Sequence, residues 1–128
     1  MFRRINNYKN PGDFRIMPLP TTAREIVLNL PARFRPEAAK HECAIFHFQL
    51  QGETGGQFTV RVHHGQCAVE EGISGEAECV VTAAASDFED AELGRINKQM
   101  AVMTGKIRIS NLGAMLKFLG VFEELKTA

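Results

Sequence analysis

The residues best suited to chemistry are histidines and cysteines in the first half of the chain. Imidazole nitrogen and thiolate sulfur are the ligands that zinc prefers, and His47 and His63 are expected to face the same side of two neighbouring strands. The spacing matches no recognised zinc pattern, however, because no Cys-x-x-Cys pair is present, and histidines on a strand surface commonly face solvent. We therefore predict no metal site among these residues, which are His41, Cys43, His47, His63, His64 and Cys67.

The sequence also lacks a recognised catalytic signature. No Gly-x-Ser-x-Gly elbow is present, and the glycine pairs lie between predicted strands, without the spacing of a phosphate-binding loop. The acidic residues Glu89, Asp90 and Glu92 follow a predicted helix start, where carboxylates complement the helix dipole. We predict no catalytic residues, no cofactor and no enzymatic activity.

Length and composition indicate one globular domain. The chain has 128 residues, of which 45% are hydrophobic and 23% charged, with no low-complexity tract. Residues 1–21 contain several prolines and asparagines and predict an irregular arm, so we place the domain at residues 22–128. No apolar run reaches the length of a membrane span, no signal peptide is recognisable, and three cysteines make no disulfide framework. A cytoplasmic protein is expected.

The charges are segregated along the chain although they sum to zero. Residues 1–40 carry a net charge of +5, residues 41–94 of −9 and residues 95–128 of +4. Such segregation suits a transient contact with an anionic membrane surface or with an oppositely charged partner. Nucleic acid is not expected as a partner, because net basic charge and a clustered aromatic and basic motif are both lacking.

Hydrophobic periodicity in the first half predicts a helix followed by four strands. Thr22 to Glu25 has capping-box spacing, and Pro31 is expected to end or bend the helix near Leu30. Alternating apolar residues then predict strands over 44–50, 58–63, 66–70 and 78–84, arranged as an antiparallel meander. In the first hairpin we expect Leu50 opposite Phe58 and Phe48 opposite Val60, which puts both apolar sets on one face.

The second half predicts three helices and one more strand. A capping box at Ser86 is expected to start a helix that ends at Gly94, and a further helical stripe ends at Gly105. Ile107 and Ile109 alternate on a fifth strand, and a last helix carries an apolar stripe up to Gly120. The fold class is therefore α+β, a five-stranded, mainly antiparallel sheet with helices packed on one face. An apolar tail follows at Val121, Phe122 and Leu125.

The order of these elements and three motifs resemble the sterol carrier protein two family over about residues 22–122. The motifs are Pro31-Ala32-Arg33-Phe34, the strand Ile45 to Leu50, and Met103-Thr104-Gly105-Lys106-Ile107-Arg108-Ile109 before a last apolar helix. The chain departs from the family pattern at His64-Gly65, where Asp-Gly is usual. The resemblance implies that the helices and the sheet enclose a hydrophobic tunnel.

The resemblance further implies non-catalytic binding or transfer of lipids such as fatty acids, acyl-CoA or sterol-like molecules. Flexible methionines suit a cavity that adapts to several ligands. The predicted ligand-binding residues are Leu30, Phe48, Leu50, Phe58, Val60, Met100, Met103, Met115, Leu116 and Leu119. The alternative is an accessory or dimerisation module, in which a homodimer assists a lipid-processing enzyme, for example in isoprenoid quinone biosynthesis; an exposed apolar tail at residues 121–125 would favour it.

Overall fold

Residues 19–125 are described by the structure, a computed structural model, so most of the predicted N-terminal arm lies outside the described residues. The elements follow one another as α1 (Ala23–Leu28), α2 (Leu30–Arg33), a 3₁₀ turn (Pro36–Ala38), β1 (Cys43–Gln51), β2 (Gly56–His63), β3 (Gln66–Glu71), β4 (Cys79–Ala84), α3 (Ala85–Glu92), α4 (Lys98–Met103), β5 (Ile107–Ile109) and α5 (Leu112–Leu119). The predicted α+β class with five strands is confirmed. No helix among the described residues is long and apolar enough to cross a bilayer.

The first helix begins at the predicted capping box. The hydroxyl of Thr22 accepts a hydrogen bond from the backbone N–H of Glu25 at 3.1 Å, and the Glu25 carboxylate accepts one from the backbone N–H of Thr22 at 3.3 Å. Hydrogen bonds from the backbone of Thr21 and Thr22 lower the pKa of Glu25. The helix ends at Leu28, and Pro31 occupies the first turn of α2, where a missing N–H costs nothing.

The predicted antiparallel meander is wrong at β4. The strand order is β3-β2-β1-β4-β5, and β4 pairs with β1 in parallel, whereas the other three pairs are antiparallel. Residues 72–78 carry the chain from β3 across the outer face of the sheet to the far side of β1. Ser74 is held on that face by a hydrogen bond from its N–H to the Thr59 hydroxyl at 3.0 Å and by a 3.0 Å contact between its carbonyl oxygen and His47 Nε2. This crossing segment explains why His47 and Thr59 are buried on the outer face.

The predicted register of the first hairpin is wrong by two residues. Phe48 lies opposite Phe58 and Leu50 opposite Gly56, because β2 begins earlier than expected. The tight turn between β1 and β2 depends on Gly55, since a Cβ there would collide with the carbonyl oxygen of Leu50. A shift of two residues preserves the facing of every side chain, so the predicted apolar face of the hairpin is confirmed.

The predicted cap at Ser86 is also wrong. Helix α3 begins at Ala85 directly from the last residue of β4, Ala84 takes the N-cap position, and no side chain caps the helix. Ser86 therefore lies inside the first turn. Gly94, with φ of 80°, follows the helix as expected.

The core lies between the inner face of the sheet and the helices. Phe46, Phe58 and Val60 are almost completely buried, and Phe118 of α5 stacks on Phe46 with ring centroids 4.1 Å apart. The segment after α5 returns to the core, where Phe122 bridges to Phe34. Val121 and Phe122 are 5% and 7% exposed and Leu125 is partly buried, so the apolar tail is not exposed in the way that would favour the accessory module.

Candidate functional site

A cavity of about 790 Å³ lies between the inner face of the sheet and the helices. Its walls come from every helix and from β1, β4 and β5, which is why no single stretch of sequence reveals it. Most of the lining side chains are apolar. They are Ile26, Val27, Leu30, Phe48, Val81, Phe88, Ala91, Val102, Met103, Ile107, Ile109, Leu112, Met115, Leu116, Phe118, Leu119 and Phe122.

The structure brings six of the ten predicted ligand-binding residues to this cavity. These are Leu30, Phe48, Met103, Met115, Leu116 and Leu119. Leu50, Phe58 and Val60 pack in the core without lining the cavity, and Met100 is 54% exposed outside it. A role in ligand binding stays a prediction for the six residues that line the cavity.

The mouth of the cavity is apolar and open to water. Met103 of α4 is 79% exposed, and Leu112, Leu116 and Leu119 of α5 are 55%, 63% and 52% exposed. The three leucines recur at helical spacing along one side of α5, whereas Met115 and Phe118 on the other side are buried. Helix α5 is therefore apolar around most of its circumference. Its exposed leucines and Met103 of α4 form an apolar rim, composed of Met103, Leu112, Leu116 and Leu119.

One cation is partly buried in the wall of the cavity. Arg33, the last residue of α2, donates a hydrogen bond from Nη1 to the carbonyl oxygen of Glu123 at 3.1 Å, while its buried Nε has no partner among the described residues. Burial lowers the pKa of Arg33, and the carboxylate of Glu92 opposes this shift. The sequence analysis did not include Arg33 among the ligand-binding residues. The pattern that could have indicated it is a charged residue between apolar ones in Pro31-Ala32-Arg33-Phe34.

The polar residues that line the cavity are carboxylates, cations and one amide. Within the described part of the chain they are Arg33, Glu92, Lys98, Gln99, Glu123 and Glu124, and no serine, cysteine or histidine lines the wall. The serine–histidine and cysteine–histidine pairs of many hydrolases therefore have no counterpart in the described part of this wall. The mostly apolar lining is suited to holding an apolar molecule.

A second cavity of about 610 Å³ lies on the other side of Phe118, which borders both cavities. Its lining mixes apolar residues with charged or polar ones such as Glu42, Glu78 and Lys117. This mixed lining is a poor match for a purely apolar ligand. The predicted hydrophobic tunnel stays a prediction, and Phe118 is a residue that both cavities share.

Comparison with known proteins gives the same family from sequence and the same fold from structure. The family model described as the SCP-2 sterol transfer family matches residues 28–123. Sterol carrier protein 2 of Homo sapiens is 34% identical over 77 residues, which span 57% of this chain but only 14% of the human protein. Thus the matching region is a small part of that relative.

Two solved structures share the fold at low sequence identity. The stereoselective inverting sec-alkylsulfatase Pisa1 from Pseudomonas sp. matches with a TM-score of 0.67 and 10% identity over 80% of this chain and 16% of its own. A UbiJ-SCP2 ubiquinone synthesis protein matches with a TM-score of 0.53 and 14% identity, over 74% of this chain and 81% of its own. The sulfatase contains the fold as a minor part of a longer chain. By its family match over residues 28–123, this chain belongs to the SCP-2 sterol transfer family.

Proposed function

We propose that this protein binds one single-chain lipid in the 790 Å³ cavity without chemical change, and that it passes the lipid to and from membranes. The observation that carries the proposal is an apolar cavity of ligand size whose mouth is also apolar. Cavities of about 300 to 1,000 Å³ are typical of small-molecule sites. An open apolar rim gives an acyl chain a path into the cavity that avoids polar surface.

The expected affinity follows from the apolar surface that the ligand buries. Each buried methylene contributes about 0.8 kcal/mol, so ten of them contribute roughly 8 kcal/mol before the entropy cost of association is subtracted. A micromolar complex corresponds to about 8.2 kcal/mol net. Apolar burial alone therefore gives micromolar or weaker binding, and tighter binding needs a polar anchor.

Arg33 is the residue that we assign as this anchor. The Arg33 side chain lines the cavity and its buried Nε has no partner, so a small rotation of the guanidinium toward the cavity would let a ligand carboxylate accept hydrogen bonds from its N–H groups. Arginine stays protonated at neutral pH even when burial lowers its pKa, and its planar fork matches a carboxylate. The proposed ligand class is therefore long-chain fatty acids, ahead of neutral sterols or alcohols.

Replacing Arg33 with methionine is expected to weaken binding of a long-chain fatty acid about tenfold, since a hydrogen bond to a charged group contributes about 1.5 kcal/mol or more. Methionine keeps most of the apolar stem. Binding of the fatty alcohol of the same chain length is expected to change little. Both affinities are measurable by displacement of a fluorescent fatty acid.

Arg35→Met is the matched control, because Arg35 is exposed and lies outside the cavity lining. It is expected to leave both affinities unchanged. If Arg33→Met weakened acid and alcohol equally, or weakened neither, Arg33 would not be the anchor.

The apolar rim is where we place the transient membrane contact. Leu112, Leu116 and Leu119 offer adjacent apolar side chains at the cavity mouth, where a lipid leaving a bilayer would enter. Extraction of a labelled fatty acid from anionic vesicles tests this contact. Loss of extraction in a Leu116→Ser variant that still binds the acid in solution would support it; unchanged extraction would place the contact elsewhere.

The second candidate is an accessory module that assists a lipid-processing enzyme as a homodimer. It is supported at the level of fold by the likeness to the ubiquinone synthesis protein. In this case the apolar rim would meet a protein, because Val121 and Phe122 are buried and cannot do so. Light scattering distinguishes the candidates: a monomer that extracts lipid from vesicles supports a carrier, whereas an obligate dimer that extracts none supports the module.

A further inference from the structure

Three side chains with metal-ligating atoms meet at one end of the sheet, outside the 790 Å³ cavity, although Cys43 also lines the 610 Å³ cavity. The sulfur of Cys43 and ring nitrogens of His63 and His64 all lie within 4.8 Å of one another. All three residues are exposed to solvent. The cluster lies outside the proposed lipid site and does not depend on it, since none of the three residues lines the 790 Å³ cavity.

The sheet register and the turn bring the cluster together. Cys43 and His63 are direct partners across β1 and β2, so their side chains leave the same face of the sheet. In regular strand geometry His64 would point to the opposite face. Instead, His64 takes φ of 48° in a two-residue turn with Gly65 at φ of 78°. The ring centroids of His63 and His64 are 3.9 Å apart.

This geometry explains why sequence reasoning did not find the cluster. It paired His63 with His47, but His47 is buried under the crossing segment, with its Nε2 3.0 Å from the carbonyl oxygen of Ser74. Strand periodicity predicts that His63 and His64 point to opposite faces of the sheet. The left-handed conformation of His64 brings the two rings together instead.

We propose that Cys43, His63 and His64 bind one zinc ion. Tetrahedral zinc with bonds of about 2.0 to 2.3 Å holds its ligand atoms about 3.3 to 3.8 Å apart. Rotations of these exposed side chains that move the ligating atoms by about 1 Å bring them to that separation. One thiolate and two imidazoles suit borderline cations such as zinc, and the fourth position is left to solvent.

Isothermal titration of tag-free, chelator-treated and reduced protein with zinc tests the proposal. The expected result is saturable binding of about one zinc ion per chain. Cys43→Ser and His64→Asn are each expected to weaken it about tenfold or more, since even the loss of an outer-shell partner has effects of that size. Asparagine tolerates the left-handed backbone, so His64→Asn keeps the turn. A titration with cobalt in place of zinc gives a second readout. The expected absorption spectrum shows a thiolate-to-metal charge-transfer band, which is lost in Cys43→Ser.

Cys67→Ser is the matched control, because Cys67 lies on β3 outside the cluster. Burial raises the pKa of the Cys67 thiol to about 12, so alkylation at neutral pH reports mainly on exposed Cys43. Zinc is expected to protect Cys43 from alkylation, and Cys67→Ser is expected to bind zinc as the unmodified protein does. No saturable zinc binding, or binding that survives Cys43→Ser unchanged, would overturn the proposal.

Discussion

Replacing Val102 with tryptophan is expected to weaken fatty-acid binding about 50-fold. Val102 is a half-buried residue of α4 whose side chain lines the cavity. A tryptophan there would fill the space of about three ligand methylenes, each of which contributes about 0.8 kcal/mol, and the lost 2.4 kcal/mol corresponds to about 50-fold in affinity. Because Val102 is only half-buried, the larger side chain has room to enter the cavity without displacing the core. Fluorescent fatty-acid displacement measures the effect.

Met100→Trp is the matched control on the same helix. Met100 is 54% exposed and does not line the cavity, so this variant introduces the same aromatic ring without filling the cavity. It is expected to bind fatty acid like the unmodified protein. Equal affinities of the Val102→Trp and Met100→Trp variants, with both folded by circular dichroism, would mean that the ligand occupies another place.

Replacing Phe118 with alanine is expected to lower the free energy of unfolding by about 3 to 5 kcal/mol, the usual range for a buried phenylalanine. Phe118 is 6% exposed and stacks on Phe46, with its ring centroid also 4.7 Å from that of Phe122. It borders both cavities, so its removal would open the space between them that its ring now fills. Urea unfolding measures the change, which is a large part of the 5 to 15 kcal/mol that stabilises a typical domain.

Phe34→Ala provides the comparison. Phe34 is only half-buried and lies at the edge of the core against Phe122, with ring centroids 5.6 Å apart. Its removal is expected to cost about 1 kcal/mol, as for an average substitution. If the two variants lost equal stability, Phe118 would not be the central packing residue between the cavities.

Local patterns allowed most of the elements to be predicted. The capping box at Thr22, the alternation of β1 and β2, and the glycine after α5 each act within a few residues, so they are visible in the sequence. The partner of β4 was not visible, because it depends on how residues 72–78 cross the sheet. The Thr59 hydroxyl that holds Ser74 and the contact between His47 and Ser74 decide that path, and they join residues far apart in sequence.

The cavity was predictable only in part, for a similar reason. Apolar periodicity shows that Met103, Met115 and Leu116 lie on helices, but it does not show whether such a side chain fills the core or borders a space. Met103 demonstrates the difference, since it is 79% exposed at the mouth. A charge at Met103 would therefore perturb binding less than a tryptophan at Val102. Arg33 is part of the site because of the burial of its Nε, which the sequence pattern does not show.

The measurement that tests the central claim most directly is a titration of the tag-free protein with a fluorescent fatty acid, followed by displacement with an unlabelled long-chain acid. Native mass spectrometry of the gently purified protein identifies any lipid that is already bound. We expect about one acid per chain with micromolar affinity, displaced competitively, and a lipid adduct in the native spectrum. If the unlabelled acid displaced no fluorescent acid and the native spectrum showed no bound lipid, the assignment of the cavity as a lipid-binding site would be contradicted.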